Sequence, residues 1–370
     1  MTRRPHGWDF LVVRMNHSNA GFFAQVQFAI NQIRFANDHG LTPVVFYGQD
    51  SIDGPNAFYE EAAGPNVWEY YFEPVGGVTL DLAREQARRS GRRLLTLGYW
   101  ELWRLHNDEP RSVFTYPYGH YRHVVDKSTG LDGRWWARQR SKGRRLVRAN
   151  VQVRPEILAK VDRFAGEHFK GPVLGVHARG TDKHDTGTGS RVARIVPPAE
   201  YFPLIDDYLS RHAGARVFFA TDQKQFRDEM TDRYGDRLIS YAAILSESDV
   251  NVFQQQRASG RGNRDKGEEV LIDALLLSRC DFLLKCTSAV GEFAMYFSDS
   301  LECVDMNFVG WPEAERRSAL RRAATAAREA GLAARFAARN RRRDRQPLED
   351  ADDPTVPDEV LDTNRLVLGQ

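Results

Sequence analysis

At 370 residues the chain is long enough for two domains with full cores. Its 42% hydrophobic and 28% charged residues describe an ordinary folded protein, and a formal net charge of +2 gives no overall case for nucleic-acid binding. No apolar run is long enough to span a bilayer, Met1–Gly7 holds no apolar signal region, and Cys280, Cys286 and Cys303 lack metal-ligand spacing. The expectation is therefore a cytoplasmic protein with reduced thiols, no disulfide and no structural zinc.

Phe10–Val13 reads as a buried strand, and the turn-rich Asn16–Gly21 leads into a helix over Phe22–Asp38. His39-Gly40 ends that helix and Pro43–Tyr47 resumes a strand, which makes a βαβ unit. Ser51 to about Tyr121 is rich in aromatics and turns, densest at Asn66–Phe72; these rings read as core, with Trp68 or Tyr70 lining a sugar cleft as the sharper option. Arg134–Arg148 reads as a basic helix with a solvated face. A second α/β block starts near Val173. It continues as a helix over Pro197–His212, a strand Arg216–Phe219 running into Ala220-Thr221-Asp222, a helix Gln225–Tyr234 and a short strand Leu238–Tyr241. A helix Gly267–Arg279 with a broad apolar face follows, then a strand Asp281–Lys285, Thr287-Ser288 opening a helix to about Phe297, and a last strand Leu301–Met306. From Glu313 to Arg345 Ala and Arg dominate, suiting one long solvated helix, and an acidic Pro-containing stretch, Leu348–Glu359, reads as a flexible tail. The sharper option for the Arg-rich segment is contact with anionic lipid headgroups or nucleic acid.

The pattern predicts an α/β protein of two Rossmann-like domains facing across a cleft: residues 1–165, residues 166–311, and a C-terminal extension over 312–370. Polar residues collect at the strand ends of the second block. Val173–Ala178 breaks into Arg179-Gly-Thr-Asp182-Lys183, which places an imidazole (His177), a guanidinium, a carboxylate and an ammonium within seven residues. In an open α/β sheet ligands bind just beyond the carboxyl ends of strands, and a planar guanidinium suits a phosphate. Thr221-Asp222 ends the next strand, and Thr287-Ser288 precedes a helix whose free N–H groups can hold an anion. Helix capping is the simpler role for Thr287 and Ser288, and Asp222 could equally cap the helix after it. Asp273 lies inside an apolar helix, where a carboxylate needs an internal donor or a ligand edge bearing N–H groups.

From Val173 to about Phe297 the chain resembles the GT-B fucosyltransferases of the α1,6 type, including the nodulation enzymes, with protein O-fucosyltransferases more distant. His177-Ala-Arg179-Gly-Thr-Asp182-Lys183 is similar to their His-x-Arg-Arg-Thr-Asp-Lys peptide and Ala220-Thr221-Asp222 to their Ala-Thr-Asp-Asp strand end. Leu271-Ile-Asp273, Asp281-Phe-Leu-Leu and Thr287-Ser288 resemble the family's last donor-binding block, with Gly21–Gln25 and Asn66-Val-Trp68 as weaker N-terminal likenesses. The resemblance implies an inverting, metal-independent transferase that takes a GDP-sugar, most simply GDP-fucose, as co-substrate and needs no further cofactor. Arg179 would neutralise the β-phosphate, Ser288 would hydrogen-bond it, Asp273 would accept from guanine N1 and N2, and His177 would lie beside the base. Thr221, Asp222 and Thr287 would complete the donor site, and Asp182 and Lys183 would sit near the sugar or shape the loop.

The chain departs from the pattern at Gly180, where the family has a second Arg, and at Gln223, where it has a second Asp. Gly187 stands where an acid is expected, within about five extra residues through Asp185–Ser190. Asp185 is the nearest carboxylate that could deprotonate an acceptor hydroxyl, with His184 and Asp182 as rivals. The expected partners are the GDP-sugar, a glycan or other hydroxyl-bearing acceptor, and no nucleic acid. Two other classes compete: a different phosphate-handling transferase, such as a kinase or sulfotransferase, or a non-catalytic polyanion-binding protein. The first lacks any Gly-x-x-x-x-Gly-Lys-Ser/Thr loop. The second would bind in a salt-sensitive way and be indifferent to Arg179.

Overall fold

The computed structural model describes residues 8–15, 20–51, 54–97, 133–180, 195–241, 245–246, 262–307 and 309. Asp182, Lys183, His184 and Asp185 lie outside them, as do the Ala/Arg-rich segment and the acidic stretch.

The N-terminal half is a parallel three-stranded sheet in the order β2 (Thr42–Val45), β1 (Trp8–Val13), β3 (Arg93–Thr96). Side chains alternate across a strand, so an unbroken apolar run must be covered on both faces. Leu11 and Val13 pack with α1 (Phe22–Asp38), whereas Phe10 and Val12 meet Leu80, Ala83 and Ala87 of α2 (Leu80–Ser90). Thr79 caps α2 by accepting from the Leu82 N–H at 3.3 Å. Gly91 ends it in the left-handed region at φ 64°, where a glycine carries no Cβ penalty. The Asn66–Phe72 aromatics are core: Trp68 is 2% and Tyr70 4% exposed, and the Tyr70 hydroxyl donates to main-chain carbonyls. Tyr70 also borders a surface pocket of about 300 Å³ with Asn66, Glu69, Arg154 and Arg264.

Two helices, α3 (Gly133–Asn150) and α4 (Pro155–His168), join the halves. The C-terminal half is a parallel five-stranded sheet. Its order is β8 (Cys303–Asp305), β7 (Phe282–Lys285), β4 (Val173–Ala178), β5 (Arg216–Thr221), β6 (Leu238–Ile239). Around it lie α5 (Phe202–Arg211), α6 (Lys224–Tyr234), α7 (Asn263–Leu277) and α8 (Ala289–Phe297). Val176 and Ala178 of β4 face Tyr201, Ile205 and Met230 on one side. On the other side α7 packs so close to Gly175 that a Cβ there would lie 3.2 Å from Leu277.

The basic helix is not simply a solvated face. On α3, Arg145 is exposed, but Arg140 clasps Glu292 of α8 through two hydrogen bonds (3.1 and 2.8 Å), and Arg144 Nε donates to the Met295 carbonyl at 2.9 Å. A polar face can thus be buried wherever a partner helix offers carboxylate and carbonyl acceptors. The helix α4, which straddles residue 165, packs on α7 and pairs Lys160 with Glu268. The two halves share one core, with Phe23 of α1 stacked on Phe293 of α8 at 4.3 Å between ring centroids. Among the described residues no helix is long and apolar enough to cross a membrane.

Candidate functional site

The strand order locates the site. After β4 the chain adds β5 and β6 on one side, then returns to place β7 on the other. The loops after β4 and β7 therefore leave the sheet in opposite directions, which opens a crevice between their carboxyl ends. Those loops are Arg179-Gly180 and Cys286-Thr287-Ser288, joined by a hydrogen bond from the Cys286 N–H to the His177 carbonyl (3.1 Å).

Arg179 stands at this edge with 15% of its side chain exposed and its Nε 3.8 Å from Asp222 Oδ2. The other Asp222 oxygen accepts from the Gly180 N–H at 2.9 Å. Asp222 therefore does not cap α6: the N-cap is Gln223, which makes no side-chain cap bond. Instead it fixes the strand-end turn and orients the guanidinium. The Thr221 hydroxyl accepts from the Gln223 N–H (3.2 Å) and tightens the same corner. His177 is 5% exposed, with Nδ1 3.7 Å from Cys286 Sγ.

Across the crevice, Ser288 caps α8 by accepting from the Val290 N–H at 3.4 Å, the capping role expected for it. That leaves other first-turn N–H groups of α8 toward the crevice, where an anion is favoured. The Thr287 hydroxyl donates to Asp305 (3.0 Å), and its N–H to the Asn307 carboxamide oxygen (2.8 Å). Thr287 thus holds the loop in place.

Beneath that loop is a buried ion cluster that strand-end patterning did not single out. Lys285, at the end of β7 and 1% exposed, donates to Glu292 and to Asp305, both at 2.8 Å. Burial works against the ammonium, yet Asp305 and Glu292 outweigh it and raise its pKa. Burial would likewise raise Glu292, but Arg140 and Lys285 outweigh that and hold its carboxyl down at about 2. A Lys closing an otherwise apolar strand, with acids downstream at 292 and 305, was the available signal; its partners come from two other elements, α8 and β8.

Asp273 is carried on α7, one turn before Leu277. Because α7 joins parallel strands it runs antiparallel to them, so this turn lies toward the carboxyl edge. His177 is two residues beyond Gly175 on the same face of β4. Both side chains are therefore displaced from the Gly175–Leu277 contact toward the crevice. Burial raises the Asp273 pKa well above the ordinary carboxylate value, and Glu269 adds to the rise.

Two parallel α/β sheets, the second with a guanidinium and a helix N-terminus at its switch point, define the class by architecture: a protein of two Rossmann-like halves with an anion-suited crevice. Residues 132–294, under half of the chain, match the family of alpha-(1,6)-fucosyltransferase N- and catalytic domains. Over that segment the chain is similar to that family, the likeness the strand-end motifs led one to expect. Among solved structures, the chain is similar to NodZ alpha-1,6-fucosyltransferase soaked with GDP-fucose, at 19% identity and a TM-score of 0.47, over 80% of this chain and 94% of that one. Fucosyltransferase NodZ from Bradyrhizobium is similar at 20% identity and 0.44, over 78% and 92%. POFUT1 in complex with GDP is similar at 11% identity and 0.41, over 81% and 98%.

Proposed function

We propose that the protein is an inverting, metal-independent glycosyltransferase that moves fucose from GDP-fucose to a hydroxyl of a glycan or other acceptor. The observation that carries this reading is the placement of Arg179 at the switch point, opposite the N-terminus of α8. In the reaction, the bond from the acceptor oxygen to the sugar C1 forms as the bond from C1 to the β-phosphate oxygen breaks. The acceptor proton goes to a base and GDP leaves with the electron pair. Arg179 neutralises the leaving diphosphate as a fixed cation that needs no rearrangement at the moment of reaction, with Ser288 and the α8 N-terminus assisting. Thr221, Asp222 and Thr287 hold the two strand ends around it. Asp273 accepts from guanine N1 and N2, with His177 beside the base. Asp182 and Lys183 are assigned to the sugar side, and Asp185 to deprotonation of the acceptor, with His184 and Asp182 as its competitors. The Arg-rich segment is assigned to peripheral contact with anionic lipid, at the cytoplasmic side.

The test is calorimetry with GDP, UDP, ADP and dTDP in the presence of EDTA. GDP is expected to bind best, and Arg179→Ala to weaken it by about tenfold to a hundredfold, the effect of losing a charge-assisted hydrogen bond. Equal affinity for all four nucleotides, or a strict need for Mg²⁺, would overturn the reading.

A further inference from the structure

Gly180 and Gln223 occupy one space. A Cβ built on Gly180 would lie 2.7 Å from the Gln223 amide carbon and 3.2 Å from its Cβ, and closer still to Oε1. The Gly180 backbone is not in the left-handed region; what its missing Cβ leaves is room for the Gln223 carboxamide. Gln223 is held firmly at its base. Its N–H donates to Thr221 Oγ1, and its neighbours pair with Ser246 on both sides, Ser246 N to Asp222 O at 2.9 Å and Lys224 N to Ser246 O at 3.0 Å. Residues 222 and 223 therefore clasp residue 180 together: the Asp222 carboxylate takes its N–H, and the Gln223 carboxamide lies where its side chain would be.

We infer that the half-buried Gln223 carboxamide is a specificity-determining contact for the sugar of the donor, an inference that rests on the nucleotide-sugar reading above. Arg179, one residue from Gly180, supplies the charge that a diphosphate needs. A carboxamide is neutral and carries both donor hydrogens and an acceptor, which matches a sugar hydroxyl better than a phosphate oxygen. The backbone that carries the side chain is pinned, which limits where the carboxamide can reach.

The experiment measures affinities of the full chain for GDP, GDP-fucose and GDP-mannose by calorimetry, with thermal melts to show that each variant folds. Gln223→Ala is expected to shrink the preference between the two sugars by about tenfold, while GDP, which has no sugar, loses less than about twofold. Gly180→Ala is expected to do the same, because its methyl group evicts the carboxamide, and the double variant to do no more than either single one. If Gln223→Ala does not fold, Gln223→Asn, one methylene shorter, reports the same ratio. An unmoved sugar ratio, an equal loss for GDP, or additive effects at 180 and 223 would each overturn this inference alone. An unmodified chain that does not bind GDP would overturn the parent reading and this one with it.

Discussion

Asp273 shows how one buried group links stability to binding. Its carboxyl titrates well above the ordinary value of 3.8, chiefly through burial and secondarily through Glu269. A raised carboxyl pKa means that the folded chain holds a proton the unfolded chain releases. Its contribution is therefore fully present below the unfolded value and declines as pH rises from there through the raised folded value. Asp273→Asn should therefore leave the melting temperature unchanged or higher at neutral pH, while Asp273→Ala should erode the preference for guanine. A uniform loss across GDP, UDP and ADP in the alanine variant would contradict the role assigned to it. Guanine donors would favour the ionised carboxyl, so GDP affinity should fall as pH is lowered through the raised pKa. At this scale the sequence was readable where chemistry coincided with a strand end, as at Arg179, Asp222 and Ser288. It was not readable at Lys285, because Asp305 and Glu292 are brought to it by β8 and α8 and no local periodicity marks the pairing.

Elements with a regular apolar period matched their expected positions to within a few residues, such as α1 over Phe22–Asp38. The helix α2 escaped notice in an aromatic, turn-rich stretch although Thr79 and Gly91 mark both its ends. The basic helix α3 was read by its charge, and charge alone does not reveal a buried carboxylate on the facing helix. The Arg140–Glu292–Lys285–Asp305 cluster joins α3, α8, β7 and β8 beneath the Thr287 loop. Removing one of its two cations with Lys285→Met takes the ion-pair partner from Asp305 and leaves Glu292 with Arg140 alone; it should cost about 3–5 kcal/mol, read as a lower melting temperature. Glu292, with its pKa lowered from 4.5 to about 2, contributes stability above the unfolded value that is lost as pH falls toward 2. Acid titration of Glu292→Gln should therefore be flatter than that of the unmodified chain over that window.

Over the whole molecule, two α/β blocks were legible from the alternation of strands and helices, but the intimacy of their contact was not. Phe23 and Phe293, 270 positions apart, stack within one core, and the Tyr71 hydroxyl donates to the Arg264 carbonyl at 2.8 Å. Such contacts arise from tertiary packing and leave no mark in a local window. A shared core predicts one cooperative thermal transition, and Phe293→Ala should lower it by about 3–5 kcal/mol without splitting it. Two separated transitions in the unmodified chain would contradict that.

The approach of α7 to Tyr71 sets a dimension of the molecule. A Cβ at residue 267 would lie 2.6 Å from the Tyr71 ring carbon that bears the hydroxyl, so a glycine there brings the two halves as near as helix and ring can come. Beside this contact Glu60 accepts from the Gly262 and Arg264 N–H groups at 3.0 and 3.2 Å, tethering the start of α7 to the N-terminal half. The spacing between the two halves is then a gauge set by hard contact. On the proposed function, an acceptor of greater bulk could not be admitted by parting these walls, because they stand at a fixed separation.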